Sequence, residues 1–197
     1  LNAFGMRCAV GGNLGVPALE LLDDSNDIYV LELSSFQLAY SAELSLASAA
    51  LLNISDDHQD WHGDFASYVK AKRRILPNAS YRVGVVDCDF DVDAQVAVAP
   101  PGKNQWGVKT ASGESWVFFE DTRLCPVSSL PIAGRHNVEN CLWALALVAP
   151  WIAPSPAAQL LSGFSGLPHR FSLVKGPGSI RCINDSKATN VGATLAA

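Results

Sequence analysis

The sequence predicts an α/β protein built on a mostly parallel sheet, and three short apolar runs carry this prediction. The runs occupy residues 27–33, 47–54 and 83–87, and each is nearly continuous, as in a strand that is buried on both faces. Segments with helical apolar spacing lie between or after these runs. Such alternation indicates parallel strands that are joined by helices.

The sequence pattern changes in the middle of the chain. Residues 106–127 consist of short β-rich pieces with Gly and Ser turns, which predicts a small antiparallel flap. A strong helix is predicted over residues 138–149, with Asn137 as its N-cap. Another helix is predicted to start at Ser155, since Ser caps helices and the following Pro suits the first helical position.

The last 32 residues, 166–197, predict a separate unit. Residues 166–169 have the composition of a linker, and strands are predicted at 171–174 and 180–183 as a hairpin around a Gly-Pro-Gly turn. A helix begins near residue 188 and stops after very few turns. Because the chain also enters structure at once without an initiator Met, we expect that it continues beyond both ends.

Composition narrows the class of protein. The chain has 197 residues, 49% of them hydrophobic and 17% charged, which is a globular balance. A net charge of -5 without a basic block argues against nucleic-acid and anionic-membrane partners. Five scattered cysteines without CxxC spacing argue against a disulfide framework or a structural zinc site and fit a reducing cytosol. The longest apolar run, residues 141–153, is shorter than the roughly 20 residues that span a bilayer.

The sharpest candidate site is the segment 53–63, directly after an apolar run. It carries five carboxylate or imidazole side chains within seven positions: Asp56, Asp57, His58, Asp60 and His62. Ligands of open α/β sheets bind beyond the carboxyl ends of the strands. Side chains of these types can bind Mg²⁺ or orient a phosphate-bearing substrate. A solvated acidic loop with helix-capping residues is the alternative, and the pattern does not decide between the two.

Two charged residues stand at predicted apolar positions. Lys72 lies in the middle of the apolar stripe of a helix predicted over residues 64–76. A lysine on a buried face costs several kcal/mol unless it is paired or discharged, so a functional role is one reading and a snorkelling side chain the other. Glu32 interrupts an apolar run near the carboxyl end of its strand. It could bind a divalent metal beside a nucleotide, or it could face water on an edge strand.

Two further segments could contact anions. The glycine-rich segment 11–15 could approach a phosphate or sugar through its backbone, but it is not a Walker A loop, and G-x-x-x-x-G-K-[ST] occurs nowhere in this sequence. Residues 184–190 follow a predicted strand and precede a helix, which offers a helix N-terminus together with Lys187. An ordinary capped helix start is the alternative for the second segment.

Together these segments resemble the Mur ligases, in the order in which the family carries them. The matching stretches extend over nearly the whole chain: residues 11–17, 31–38, 53–63, 68–72, 134–140, 166–171 and 184–190. Three of them, Glu-Leu-Ser-Ser-Phe-Gln, Gly-Leu-Pro-His-Arg and Asn-Asp-Ser-Lys-Ala-Thr-Asn, resemble the branch of the family that adds D-glutamate.

The resemblance implies both a fold and an activity. Residues 1–165 would form the central ATP-binding domain, a P-loop-like, mostly parallel sheet flanked by helices and lacking its Walker A loop. Residues 166–197 would form a linker and the first elements of a Rossmann-like C-terminal domain. The implied reaction is ATP-dependent ligation of D-glutamate to UDP-N-acetylmuramoyl-L-alanine through an acyl phosphate, with two Mg²⁺ ions, in a cytoplasmic monomer. Because the phosphate loop is missing, we expect no turnover from these 197 residues alone.

The resemblance also implies residue roles. Glu32, His58 and Lys72 would hold the metal ions at the catalytic centre, with Lys72 carbamylated so that its amine becomes a carboxylate-like ligand. The implied substrate-binding residues are Asn13, Ser34 and Thr189. The implied nucleotide-binding residues are Asn137, Arg170, Asp185 and Lys187.

Two other functions remain open from the residues alone. A metal-dependent hydrolase could use His58 and His62, although Gln59 stands where the H-E-x-x-H pattern has its glutamate. A non-catalytic nucleotide- or UDP-sugar-binding module would bind its ligand without carbamylation of Lys72.

Overall fold

The structure is a computed structural model that describes residues 1–85, 96–98, 102–189 and 191–196. Three sheets organise it. The first contains two parallel strands, β1 (Cys8–Gly12) and β2 (Ile28–Glu32), with Gly12 opposite Glu32 at their carboxyl ends. Short 3-10 turns lie before and between these strands at Asn2–Phe4 and Ala18–Leu21. Among the described helices, none is both long and apolar enough to cross a membrane.

The second sheet has six strands in sequential order. They are β3 (Leu46–Ala50), β4 (Ala79–Val85), β5 (Val96–Val98), β6 (Gln105–Ala111), β7 (Glu114–Phe119) and β8 (Thr122–Pro126). Pairing is parallel from β3 to β6 and antiparallel from β6 to β8. The predicted antiparallel flap is therefore continuous with the parallel sheet.

Six α-helices accompany these sheets in the described residues. They are α1 (Ser35–Tyr40), α2 (Gln59–His62), α3 (Phe65–Arg73), α4 (Arg135–Val148), α5 (Pro154–Leu160) and α6 (Val191–Ala196). Single 3-10 turns follow β8 and α5 at Val127–Ser129 and Leu161–Gly163. The third sheet is the predicted hairpin, in which β9 (Ser172–Lys175) pairs antiparallel with β10 (Arg181–Asn184).

The α/β class predicted from the apolar runs is confirmed, with changes at the ends of the strands. The run at residues 27–33 forms β2, whereas the run at 47–54 is a strand only to Ala50. The run at 83–87 extends a longer strand that begins at Ala79, and its last two residues lie outside the described part of the chain.

The main core lies between α4 and the six-stranded sheet. The buried residues of α4 are Cys141, Leu142, Trp143, Leu145 and Ala146. All of them except Cys141 belong to one apolar cluster with Val83 of β4, Trp106 of β6 and Val117 of β7, and these three residues are fully buried. Apolar burial at this interface stabilises the domain by about 25 cal/mol per Å² and fixes the sheet on which the candidate site depends.

Two predicted helix starts are wrong. Asn137 is not the N-cap of α4, because the helix begins at Arg135 after Gly134, whose φ is 88°. The Asn137 side chain instead donates to the Ala133 carbonyl at 2.7 Å. Ser155 does not cap α5, since Pro154 takes the first helical position and Ala153 precedes it. Each helix therefore begins earlier than predicted: α4 begins after Gly134, whose backbone is conformationally free, and α5 begins at Pro154, whose φ already suits a helix.

Helix α1 is held at both ends, which positions the carboxyl end of β2. Ser34 and Gln37 form a capping box at its start. The guanidinium of Arg74, just past α3, donates to the carbonyls of Ala39 and Ser41 at its end. Helix α3 has its own cap, since Asp64 accepts from the Ser67 N–H at 2.7 Å. Residues that follow β2 and residues that follow β3 are therefore fixed against each other.

Candidate functional site

The first part of the site lies where β1 and β2 end. The Asn13 N–H donates to the Glu32 carbonyl at 2.7 Å, and the Asn13 side-chain amide donates to a Glu32 carboxylate oxygen at 3.3 Å. This close approach requires Gly12, whose φ is 106° and where a Cβ would overlap the Glu32 carbonyl oxygen. The glycine-rich segment thus supports the backbone and the carboxylate of Glu32.

The second part is the turn that carries His58. This residue precedes α2 in a left-handed conformation, with φ 54° and ψ 27°. Its N–H donates to the Asp57 carboxylate at 2.9 Å, and its ring Nδ1 lies 3.5 Å from the same oxygen. A carboxylate beside one ring nitrogen orients the imidazole and directs its other nitrogen outward.

Lys72 of α3 approaches the same region. Its Nζ lies 5.3 Å from the centre of the Tyr68 ring, within the range of a cation–π interaction. Burial lowers the pKa of the Lys72 ammonium, and the carboxylates of Asp57 and Glu32 counteract that effect. Lys72 is therefore partly buried and within the electrostatic field of carboxylates from β2 and from the loop after β3.

The structure brings Glu32, His58 and Lys72 into one region, although they come from β2, the loop after β3, and α3. Tyr68 lies between His58 and Lys72: its ring centre is 6.0 Å from that of His58, and the Lys72 ammonium lies over its ring face. Burial, followed by the negative charges of Asp57 and Asp56, raises the pKa of the Tyr68 phenol. The sequence patterns predict no role for Tyr68. Its position four residues before Lys72 on the same stripe is the signal that marks it.

His62 has a different environment from His58. Its Nε2 lies 3.0 Å from the hydroxyl of Ser35, and its ring stacks on Phe36 with 5.7 Å between centroids. Over the described parts of the chain, His, Cys, Asp and Glu side chains form no group of three or more that could hold a metal ion. Use of the His58/His62 pair by a metal-dependent hydrolase remains a prediction.

Ser34 is engaged within the protein. Its hydroxyl accepts from the Gln37 N–H at 3.3 Å and lies 3.0 Å from the Gln37 side-chain oxygen. The observed role of this hydroxyl is to cap α1, and substrate contact by Ser34 remains a prediction.

A second cluster contains the residues predicted to bind nucleotide. The Asp185 carboxylate accepts from the Phe171 N–H at 3.0 Å. The Lys187 N–H donates to the His169 carbonyl at 3.1 Å. These bonds place Arg170 beside Asp185 and Lys187, although the two segments are separated by the β9–β10 hairpin.

The start of α4 joins this cluster through one ring contact. His136 packs edge-to-face against Phe171, with 5.1 Å between ring centroids. Asn137 is the next residue of that helix, but its side chain donates to the Ala133 carbonyl, so nucleotide binding by Asn137 remains a prediction. Thr189 is exposed and lines a shallow depression of about 380 Å³ together with residues of α6.

The chain is similar to known proteins over nearly its whole length. The family model of the Mur ligase middle domain matches residues 13–148. A UDP-N-acetylmuramoylalanine–D-glutamate ligase from Vibrio atlanticus is 42% identical over 200 residues, which cover 100% of this chain and 46% of that protein. The ligase of the same name from Chromohalobacter salexigens is also 42% identical, over 98% of this chain and 45% of its own length. The chain thus spans less than half the length of these relatives.

Solved structures agree in fold. MurF from Acinetobacter baumannii superposes with a TM-score of 0.76 at 17% identity, over 98% of this chain and 48% of that protein. MurF ligase from Thermotoga maritima, solved in complex with ADP, gives a TM-score of 0.63 at 16% identity, over 100% of this chain and 51% of its own. At such identities the likeness concerns the fold alone.

Proposed function

The chain belongs to the Mur ligase family, as its middle domain, and on this premise we propose that it serves the ATP-dependent ligation of D-glutamate to UDP-N-acetylmuramoyl-L-alanine. The observation that carries the proposal is the convergence of Glu32, His58 and Lys72, together with 42% identity to relatives that bear this name. The proposed protein is a cytoplasmic monomer, with its central ATP-binding domain at residues 1–165 and the beginning of its C-terminal domain at 166–197.

In this reaction the γ-phosphoryl group of ATP passes to the lactoyl-alanine carboxylate, which gives an acyl phosphate and ADP. The amine of D-glutamate then attacks the acyl carbon, the C–N bond forms, and inorganic phosphate leaves. Several anionic oxygens meet at one place, so the transition state needs nearby positive charge. Mg²⁺ ions, when bound, would supply that charge.

The residues present fit a pair of Mg²⁺ ions if Lys72 is carbamylated. Mg²⁺ prefers oxygen ligands, and Glu32 offers a carboxylate that Asn13 orients. His58 would contribute its outward ring nitrogen, since Asp57 lies beside Nδ1. An ammonium at Lys72 would repel a cation, whereas a carbamate would add a third ligand and a second negative charge beside that of Glu32.

The environment of Lys72 favours this modification. A carbamate forms when a neutral amine attacks CO₂ and a proton is released. Burial lowers the pKa of Lys72 and so increases the neutral fraction at a given pH. Once the carbamate has formed, a metal ion would offset its repulsion from Asp57 and Glu32.

The remaining assignments are proposals of the same kind. Asn13 and Ser34 would contact the UDP-sugar substrate, and Thr189 would lie near D-glutamate. Nucleotide would bind to the cluster at the start of α4 and the linker, through Asn137, Arg170, Asp185 and Lys187. The hydrogen bonds between the segments of Arg170 and of Asp185 and Lys187 support a shared role for these three residues.

A chimera tests the proposed function. Residues 1–197 would replace the matched stretch of the Vibrio atlanticus relative, and phosphate release would be measured with each substrate omitted in turn. We expect release that depends on both UDP-N-acetylmuramoyl-L-alanine and D-glutamate, and at least a hundredfold loss in the Lys72→Met chimera, the range for removal of one electrostatic stabiliser. The 197-residue chain alone should release none.

Two results would contradict the proposal. A folded chimera that binds ATP but releases phosphate with a different amino acid would show that the substrate is wrong. A folded chimera that binds nucleotide and UDP-sugar without any turnover would favour the non-catalytic binding module. Intact-mass measurement of the 197-residue chain under CO₂ tests carbamylation separately, with Lys72→Met as the control.

A further inference from the structure

We propose that His62 is a positioning residue, which acts through Ser35 and Phe36 to hold the His58 ring in its metal-binding orientation. This inference rests on the proposed function, because it concerns the same site. It assigns a role to His62, the second histidine of the acidic turn, which the proposed ligation chemistry does not use.

The argument begins with the single turn that carries both histidines. The His62 N–H donates to the His58 carbonyl at 3.0 Å, so α2 joins the two residues as one hydrogen-bonded unit. The turn is short and has glycine at its C-terminal end, with Gly63 at φ 86°. One turn of helix is not stable by itself in water, so it needs an outside anchor.

That anchor is a buried hydroxyl. Ser35 is 2% exposed and is the one buried polar residue that the described chain contains. An unsatisfied hydroxyl in such a place is costly, and its partner here is His62 Nε2 at 3.0 Å. The hydrogen bond therefore ties the C-terminal end of α2 to the N-terminal turn of α1.

The two imidazoles then share the same aromatic walls. The Phe36 ring lies 4.9 Å from the His58 ring and 5.7 Å from the His62 ring, between centroids. Tyr68 contacts both rings from the other element, at 6.0 Å from His58 and 5.4 Å from His62. If the His62 anchor is lost, α2 can rotate, and His58 loses its fixed position between Phe36 and Tyr68.

The left-handed backbone of His58 makes this anchor more important. A residue other than glycine at φ 54° is strained by roughly 1–2 kcal/mol and keeps that conformation only where its surroundings impose it. The His62–Ser35 bond and the shared ring contacts impose it from one side, and the Asp57 carboxylate imposes it from the other. The turn is thus held in a strained conformation that would keep the second ring nitrogen of His58 available to a metal ion.

The experiment uses the 197-residue chain and Mn²⁺ as the probe metal. Three variants separate the hydrogen bond from the ring: His62→Phe keeps an aromatic ring on Phe36, His62→Gln keeps a hydrogen-bond donor for Ser35, and Ser35→Ala removes the partner. Trp61→Phe is the matched control, because it changes a ring that contacts both Phe36 and His62, keeps that ring aromatic, and alters neither partner of the His62–Ser35 bond. Mn²⁺ affinity and paramagnetic broadening of the His58 ring signals are measured for each.

We expect His62→Phe and Ser35→Ala to weaken Mn²⁺ binding about tenfold or more, as the loss of an orienting partner does at metal sites. The His62→Gln variant should stay within about threefold of the parent chain, as should Trp61→Phe. The double variant His62→Phe/Ser35→Ala should be no weaker than either single one, because both remove the same bond. Unchanged affinity in His62→Phe, or equal weakening in the control, would overturn the proposal.

A second readout separates this proposal from the proposed function. Nuclear Overhauser contacts between the His58 and Phe36 rings report the ring position without metal. If the parent chain shows no Mn²⁺ effect at His58, the metal role fails. Loss of those contacts in His62→Phe and their retention in His62→Gln would still support positioning by His62. Retention of the contacts in all variants would refute it.

Discussion

Replacement of Gly12 by alanine tests how the glycine-rich segment supports Glu32. At φ 106°, any side chain is strained, and an alanine Cβ would also overlap the Glu32 carbonyl oxygen. That oxygen belongs to the backbone of β2 and accepts the Asn13 N–H at 2.7 Å, so it cannot move without breaking the contact. Gly15→Ala is the matched control, because Gly15 also has a positive φ, 73°, but has no atom within 4 Å of the added Cβ.

The two variants separate backbone strain from steric overlap. For Gly15→Ala we expect a loss of about 1 kcal/mol in the free energy of unfolding, from the positive φ alone. Gly12→Ala should lose about 2–4 kcal/mol, because displacement of β2 adds to the strain. Urea denaturation of the 197-residue chain followed by tryptophan fluorescence measures both. Equal losses in the two variants would refute the reasoning.

Three further predictions use the same unfolding assay. Lys72→Met should change the free energy of unfolding by less than about 1 kcal/mol at neutral pH, because a partly buried ammonium contributes little net stability. Burial lowers the pKa of Lys72 in the folded state below the value of 10.5 that it has in the unfolded state. Between the folded-state pKa and 10.5 the unfolded state therefore binds more protons, and the parent chain should gain stability relative to Lys72→Met as the pH rises through this window. The opposite slope would contradict the lowered pKa. Leu145→Ala in the core should lose about 2–5 kcal/mol, whereas Leu160→Ala, 45% exposed, should lose less than about 1 kcal/mol. Ser34→Ala should lose about 1 kcal/mol through the missing cap of α1, and no loss would show that the hydroxyl is free for substrate.

The sequence predicts the parts of the fold that depend on apolar periodicity. The burial of Tyr68 and Val69 in α3 and of the apolar face of α4 follows the helical spacing of apolar residues, although α3 ends at Arg73 and not at residue 76 as predicted. The start of α4 was predicted wrongly because a polar residue that can cap a helix, Asn137, competes with a glycine three positions earlier. Both residues are acceptable helix starts by local propensity, so the sequence alone does not decide where α4 begins.

Some residues of the candidate site can also be recognised from the sequence, whereas the contacts between them cannot. Lys72 and Glu32 are recognisable because a charged residue interrupts an apolar pattern. The contact of His62 with Ser35 joins residues 27 positions apart, and no local pattern contains it. The left-handed conformation of His58 is also invisible in the sequence, because it results from contacts with Asp57 and the surrounding rings.

The separation of β1 and β2 from the six-stranded sheet has a consequence for ligand capture. A ribbon of two strands buries little apolar surface, and Val10, 65% exposed, and Val30, 42% exposed, remain on its faces. Amide protons of Cys8–Gly12 should therefore exchange with solvent deuterium faster than those of Ala79–Val85, through openings far below the global unfolding energy. A ligand that binds Glu32 must therefore order these two strands, and the entropy cost of that ordering lowers its affinity.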